Sequence, residues 1–142
     1  MKIKYSRQAS KWLVRNRVNI NTLSKCIKNL CKQAGGSNRC IHINIMPHAI
    51  NSDYQYLFDH INVAVESRAC KPRHYKLAKV CRNLLHELRH FIQYRINKKP
   101  FAFTYSYRDM TLVNSKYWND PDEVDARKYE KSKFNYLYKK II

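Results

Sequence analysis

Between Pro72 and Pro100 the chain has no glycine or proline, and Leu77, Val80, Cys81, Leu84, Leu85, Leu88, Phe91 and Ile92 recur at helical steps. This spacing marks one face of an α-helix. It predicts a long helix from about His74 to Asn97, opened by Pro72 and ended by Lys98-Lys99-Pro100. Inside it stands His86-Glu87-Leu88-Arg89-His90. Helical residues four apart lie roughly 40° apart around the axis and about 6 Å along it, so both imidazoles share a face. Arg82, Asn83, His86, His90 and Asn97 fall on the polar side of the apolar stripe, which takes the histidines off the core face. In this H-E-x-x-H pattern two histidines can bind one zinc ion, while the glutamate reaches a water on the metal and takes its proton. The same five residues also fit a solvated surface helix.

A catalytic zinc takes three protein ligands and keeps a position for water. No histidine follows His90, so a downstream third ligand must be a carboxylate. Acids are scarce: Asp and Glu total 10 against 28 Lys and Arg. Half of them, Asp120, Asp122, Glu123, Asp125 and Glu130, lie in one stretch. Glu123 is the chosen ligand, because it starts an E-x-x-A pattern on the first turns of a last helix. The small Ala126 one turn on would let that helix approach the first. Asp125 or Asp122 would then orient a histidine through its other ring nitrogen. A local explanation competes: Asp120-Pro121-Asp122-Glu123 fits a capping box, with acids suited to the helix dipole. Asp122 is the next ligand candidate, and His42, His48, His60 and His74 are upstream alternatives.

The remaining segments read as a small α+β domain. Lys2 to Tyr5 is a short strand candidate. Ser6 or Ser10 caps a helix through Trp12-Leu13-Val14, and Asn21 or Thr22 caps a second through Leu23, Cys26, Ile27, Leu30 and Cys31. Gly35-Gly36-Ser37-Asn38 is a turn. Ile41 to Ile45 and His60 to Glu66 alternate as half-buried strands, with Pro47 stopping the first. Asp53 to Phe58 is ambiguous. Phe101 to Tyr107 is a strand or an ordered loop, and a last helix runs from about Pro121 to Tyr138. There is no repeat and no second domain: residues 1–142 form one unit, a basic helical part over 1–40 and a metal-site core over 41–142.

At 44% hydrophobic and 13% aromatic, the chain carries enough apolar material to fold. No run of 18 apolar residues exists, which excludes a membrane span. The N-terminus lacks the apolar core of a secretory signal. Basic residues abound before the first acid, Asp53, as in a mitochondrial-type presequence; the default expectation is cytoplasm. The five cysteines, Cys26, Cys31, Cys40, Cys70 and Cys81, include no C-x-x-C pair, so reduced thiols are expected. The formal net charge of +18 points to an anionic partner, nucleic acid or an acidic protein surface.

His86-Glu87-Leu88-Arg89-His90-Phe91-Ile92-Gln93-Tyr94, followed by Tyr117-Trp118-Asn119-Asp120-Pro121-Asp122-Glu123-Val124-Asp125-Ala126-Arg127, resembles small zincin-fold metallopeptidases of the gluzincin pattern. Proteins of this kind occur in phages, viruses and mobile elements, where the host cytoplasm would be the compartment. The resemblance covers about residues 60 to 130. It implies one Zn²⁺ on His86, His90 and Glu123, Glu87 as general base, and a peptide or protein substrate. It also implies a zincin-like fold with a small sheet on the active-site helix and a C-terminal helix supplying the third ligand. His60 to Glu66 would be the edge strand to which a peptide adds; an ordinary interior strand is the alternative. Arg127 departs from the Asp that many gluzincins carry there. The competing function is a basic nucleic-acid-binding protein with a structural or vestigial metal site.

Overall fold

The computed structural model describes residues 1–65, 71–100 and 116–142. Four strands, β1 (Lys2–Tyr5), β2 (Cys40–Met46), β3 (Asp53–Gln55) and β4 (His60–Ala64), form one sheet in the order β1-β2-β4-β3. The helices are α1 (Arg7–Arg15), α2 (Ile20–Gln33), α3 (Arg73–Phe91), the short α4 (Lys116–Asn119) and α5 (Pro121–Ile141). The fold is mixed α+β, with a small sheet and a C-terminal helix. None of its described helices is long and apolar enough to cross a membrane.

Alternation along the strands separates two faces. Ile41, Ile43, Ile45, Ile61, Val63 and Val65 are buried on one face, where α1 and α3 pack. Leu77, Leu84, Leu85, Leu88 and Phe91 of α3 complete that core, as their spacing predicts. The other face carries Cys40, His42, Asn44, His60 and Asn62, all half-buried, and the exposed Lys2 and Lys4. β1, β2 and β4 run parallel, and α1 and α2 form the crossover between β1 and β2. α5 packs along α3 and touches α2, burying Leu137 and Ile141.

Several boundaries differ from the sequence expectation. Ser6 caps α1: its Oγ accepts from the Ala9 N–H at 2.9 Å and donates to Asn44 Oδ1 at 2.6 Å. The cap of α2 is Asn19, whose side chain accepts from the Thr22 N–H at 3.0 Å; Asn21 and Thr22 lie inside the helix. The predicted helix from His74 to Asn97 is α-helical only to Phe91. It continues as a π-helical turn over Ile92–Ile96, with the Asn97 N–H donating to the Ile92 carbonyl at 2.8 Å. The expected strand or loop at Phe101 to Tyr107, and Glu66 at the end of the expected second strand, lie outside the described residues.

The resemblance puts a free edge at His60 to Glu66, but β4 is interior, with β2 on one side and β3 on the other. The edge falls to β3, which runs antiparallel to β4 with Asp53 opposite Asn62 and Gln55 opposite His60. Beyond it the Ala64 N–H donates to Ser52 Oγ at 2.8 Å. The return from β3 to β4 passes through Asp59 at φ 50°, a conformation that Asp tolerates better than most residues. The buried Asp59 carboxylate accepts from Arg39 Nε at 2.7 Å, Tyr54 Oη at 2.7 Å and Arg95 Nε at 2.9 Å, tying the π turn to the sheet. Burial alone would raise its pKa, but these donors outweigh it and hold it below the usual carboxylate value.

The cap assignment is testable. Asn19→Ala is expected to cost about 1 kcal/mol in urea unfolding, the typical loss of an N-cap. Asn21→Ala, exposed on the first turn, is expected to stay within about 0.5 kcal/mol of the parent.

Candidate metal centre

The seam between α3 and the start of α5 brings the predicted residues together. Asp120 caps α5, its side chain accepting from the Asp122 N–H at 2.9 Å. In a capping box Glu123 would fold back to the Asp120 N–H. Instead that N–H donates to the Tyr117 carbonyl at 3.2 Å, and the Glu123 carboxylate spans two imidazoles. Its Oε2 lies 2.9 Å from His86 Nε2 and its Oε1 3.0 Å from His90 Nε2. One ligand atom from each of His86, His90 and Glu123 lies within 4.8 Å of the others. Ala126, one turn on, is wholly buried. The histidines do leave the sheet-facing stripe, but His90 is buried and His86 half-buried, because the seam with α5 occupies that side.

A second ring of contacts fixes the imidazoles. Gln93 Nε2 donates to the Asp122 carbonyl at 2.9 Å and to Asp125 Oδ2 at 2.8 Å. Both partners only accept, so the other end of the amide, Oε1, faces His90 Nδ1 at 2.8 Å. His90 Nδ1 therefore carries a proton, and Nε2 is the atom turned to Glu123. His86 Nδ1 lies 3.3 Å from Glu130 Oε2, which imposes the same orientation. Arg89 Nε holds Asp125 at 2.7 Å. The Tyr94 ring stacks on His90 with centroids 6.1 Å apart, and its hydroxyl donates to Asp122 Oδ2 at 3.3 Å.

The electrostatics follow from burial and contact. Burial pulls the His86 pKa down, but its hydrogen bonds to Glu123 and Glu130 outweigh this and lift it to about 10. Burial likewise opposes protonation of His90, and Glu123 raises it. Burial favours the neutral Glu123, yet its bonds from His86 and His90 bring it down to about 2. Glu87 is buried beside them, and desolvation lifts it to about 7 against the lowering pull of His90 and His86. The Tyr117 phenol is pushed up by burial, by the charges of Glu123 and Glu87, and by its hydrogen bond to Glu123.

Two imidazoles and a carboxylate are a donor set for a first-row divalent cation, and outer acceptors on both Nδ1 atoms are what metal-bound histidines ordinarily have. His86, His90 and Glu123 could thus hold a metal ion. The next ligand candidate, Asp122, turns its carboxylate to Lys99 Nζ at 2.9 Å and to Tyr94. His42 and His60 lie on the far face of the sheet, and His48 and His74 join no such group among the described residues. Asp125 does not touch a histidine directly; it acts through Gln93. Sequence reasoning missed Gln93 and Glu130, and it offered Tyr117 only beside Tyr105 and Tyr107 as oxyanion partners, with none chosen. The first two had a signal: Gln93 follows His90 by three residues and Glu130 follows Glu123 by seven, so each pair shares a helix face.

The sign of the pH dependence is defined for metal-free protein. His86 binds an extra proton when folded between 6.5 and about 10, so its stabilisation is complete below 6.5 and lost as pH rises to about 10. Glu87 acts in the same direction between 4.5 and about 7. Glu123 acts oppositely, losing its contribution as pH falls from 4.5 to about 2. In chelator, the urea midpoint is expected to fall from pH 6.5 to 10, although the net positive charge shrinks over that range. A midpoint that rises there would contradict this protonation pattern. Compared with protein-family models, curated proteins and solved structures, the chain matches none.

Proposed function

We propose that this chain is a zinc-dependent peptide hydrolase of zincin type, with His86, His90 and Glu123 holding the ion. The supporting observation is the convergence of these three side chains from two helices, with Glu87 buried beside them and held near neutral pKa. When bound, zinc supplies a Lewis acid that polarises a carbonyl and lowers the pKa of water towards neutrality.

The chain's own residues supply the proton traffic. Glu87 accepts a proton from the attacking water and passes it to the leaving amine nitrogen. Tyr117, kept protonated beside Glu123 and Glu87, would have to turn its O–H from the Glu123 carboxylate to reach the oxygen that gains negative charge. The substrate backbone would add to β3, which ends the described sheet and whose Asp53 is close enough to raise the Glu87 pKa.

Glu87→Gln is expected to retain zinc and fold while losing hydrolysis by roughly 10²- to 10⁴-fold, the usual contribution of general-base catalysis. Cleavage of a protein substrate at the parent rate would refute the mechanism. Glu123→Gln is expected to lower zinc affinity sharply in competition with a chelator, since neutral glutamine replaces a carboxylate ligand poorly. The apo protein should unfold with nearly the parent's cooperativity. Asp122→Asn, whose carboxylate faces Lys99, should bind zinc like the parent. Equal affinity in the parent and Glu123→Gln would remove Glu123 from the ligand set.

A further inference from the structure

The outer face of the sheet carries a second constellation that the centre on α3 and α5 does not use. Cys40 and His42 are two apart on β2, so they project from the same face. His60 of β4 stands directly opposite His42 in the parallel register. The two imidazoles lie with ring centroids 4.9 Å apart, and Cys40 Sγ is 3.8 Å from His42 Nε2. We propose that Cys40, His42 and His60 form a second site, for a borderline-soft first-row divalent cation such as Zn²⁺.

The spacing carries the argument. Zn–S bonds of about 2.3 Å and Zn–N bonds of about 2.0–2.1 Å, at a tetrahedral angle, put sulfur and nitrogen roughly 3.6 Å apart. The thiol and the imidazole already stand close to that separation, at 3.8 Å. The three donors do not yet gather within 4.8 Å of one another, so the His60 ring, which also packs on Phe58 at 5.8 Å, has to turn to bring its nitrogen to the same point. Of the described cysteines, Cys26, Cys31 and Cys81 are buried in the core, whereas Cys40 is half-buried and open to a ligand. A cleft of about 250 Å³ adjoins the two histidines on the side away from Cys40, between Tyr5, Ser6, Asn44 and Asn62, and leaves room for a water on that side. Binding takes Cys40 as the thiolate and releases its proton to solvent. The thiolate brings negative charge to a face that Lys2 and Lys4, the β1 partners of Cys40 and His42, make positive. The ion would clamp β2 to β4. The site is independent of the proposed peptidase activity.

Cobalt(II) distinguishes the two centres, because His86, His90 and Glu123 contain no sulfur. The parent is expected to bind two Co²⁺ per chain and to show a thiolate-to-cobalt charge-transfer band. Cys40→Ser should lose the band and one equivalent of metal, and His60→Gln should weaken the band's Co²⁺ affinity at least tenfold. The double variant His86→Gln/His90→Gln should keep the band. Zn²⁺ should also slow alkylation of Cys40 by iodoacetamide at least tenfold in the parent, a measurement that needs no variant. Absence of the band at saturating Co²⁺, its persistence in Cys40→Ser, or an alkylation rate indifferent to Zn²⁺ would overturn the proposal.

Discussion

The structure depends on a carboxylate buried between two imidazoles. Removing Glu123 from water is costly unless its oxygens are matched, and His86 and His90 provide one partner for each. That requirement sets the approach of α5 to α3. It explains why the residue after the first turn of contact is alanine, wholly buried, where a larger side chain would hold the helices apart. It also decides between two readings of Asp120-Pro121-Asp122-Glu123. Asp120 caps the helix by itself, through the Asp122 N–H, which leaves the Glu123 carboxylate free to cross the seam.

Holding the imidazoles in place falls to the residues behind them, and there the π turn matters. Pi-helical turns inside helices are frequent at functional sites, because they shift the side chains that follow. Here the turn begins one residue after Phe91 and contains Gln93, Tyr94 and Arg95. Gln93 reaches both His90 and α5, Tyr94 stacks on His90 and bonds Asp122, and Arg95 anchors to Asp59 beneath the sheet edge. One local departure from α-helical geometry thus links the candidate ligand, the helix that carries Glu123 and the sheet.

The α3 stripe and the strands β2 and β4 were legible because burial imposes periods of 3.6 and 2 on the chain. The grouping of His86, His90 and Glu123 was legible for another reason: acids are so scarce in this sequence that few could serve. What remained hidden depends on choices that periodicity does not encode. Asn19, Asn21 and Thr22 are all competent caps, and only the path of the chain out of α1 selects the first. The π turn preserves an apolar pattern that an α-helix would also give. β3 is three residues long, two of them polar, too short to carry a pattern, yet by pairing with β4 it takes the edge that the resemblance assigned elsewhere. Gln93 and Glu130 stayed hidden because Asp122 and Asp125, which stand closer to Glu123 in sequence, fit the supporting role equally well.

Charge is distributed unequally about this centre, and that bears on how a cation would reach it. Glu87, Asp122, Glu123, Asp125 and Glu130 line the seam, in a chain whose formal net charge is +18. At physiological ionic strength the Debye length is about 8 Å, so exposed lysines beyond that distance are largely screened, whereas the two buried carboxylates, Glu87 and Glu123, are screened much less. Arg89 and Lys99 already pair with Asp125 and Asp122, so the negative charge that a cation would meet in the seam is chiefly that of Glu87, Glu123 and Glu130. In metal-free protein Glu123 favours the protonated form of both His86 and His90, and any proton held there would have to leave if a metal took its place. Ion entry would then exchange one positive occupant for another, and the acids that would favour the metal would also stabilise the protonated apo form that competes with it.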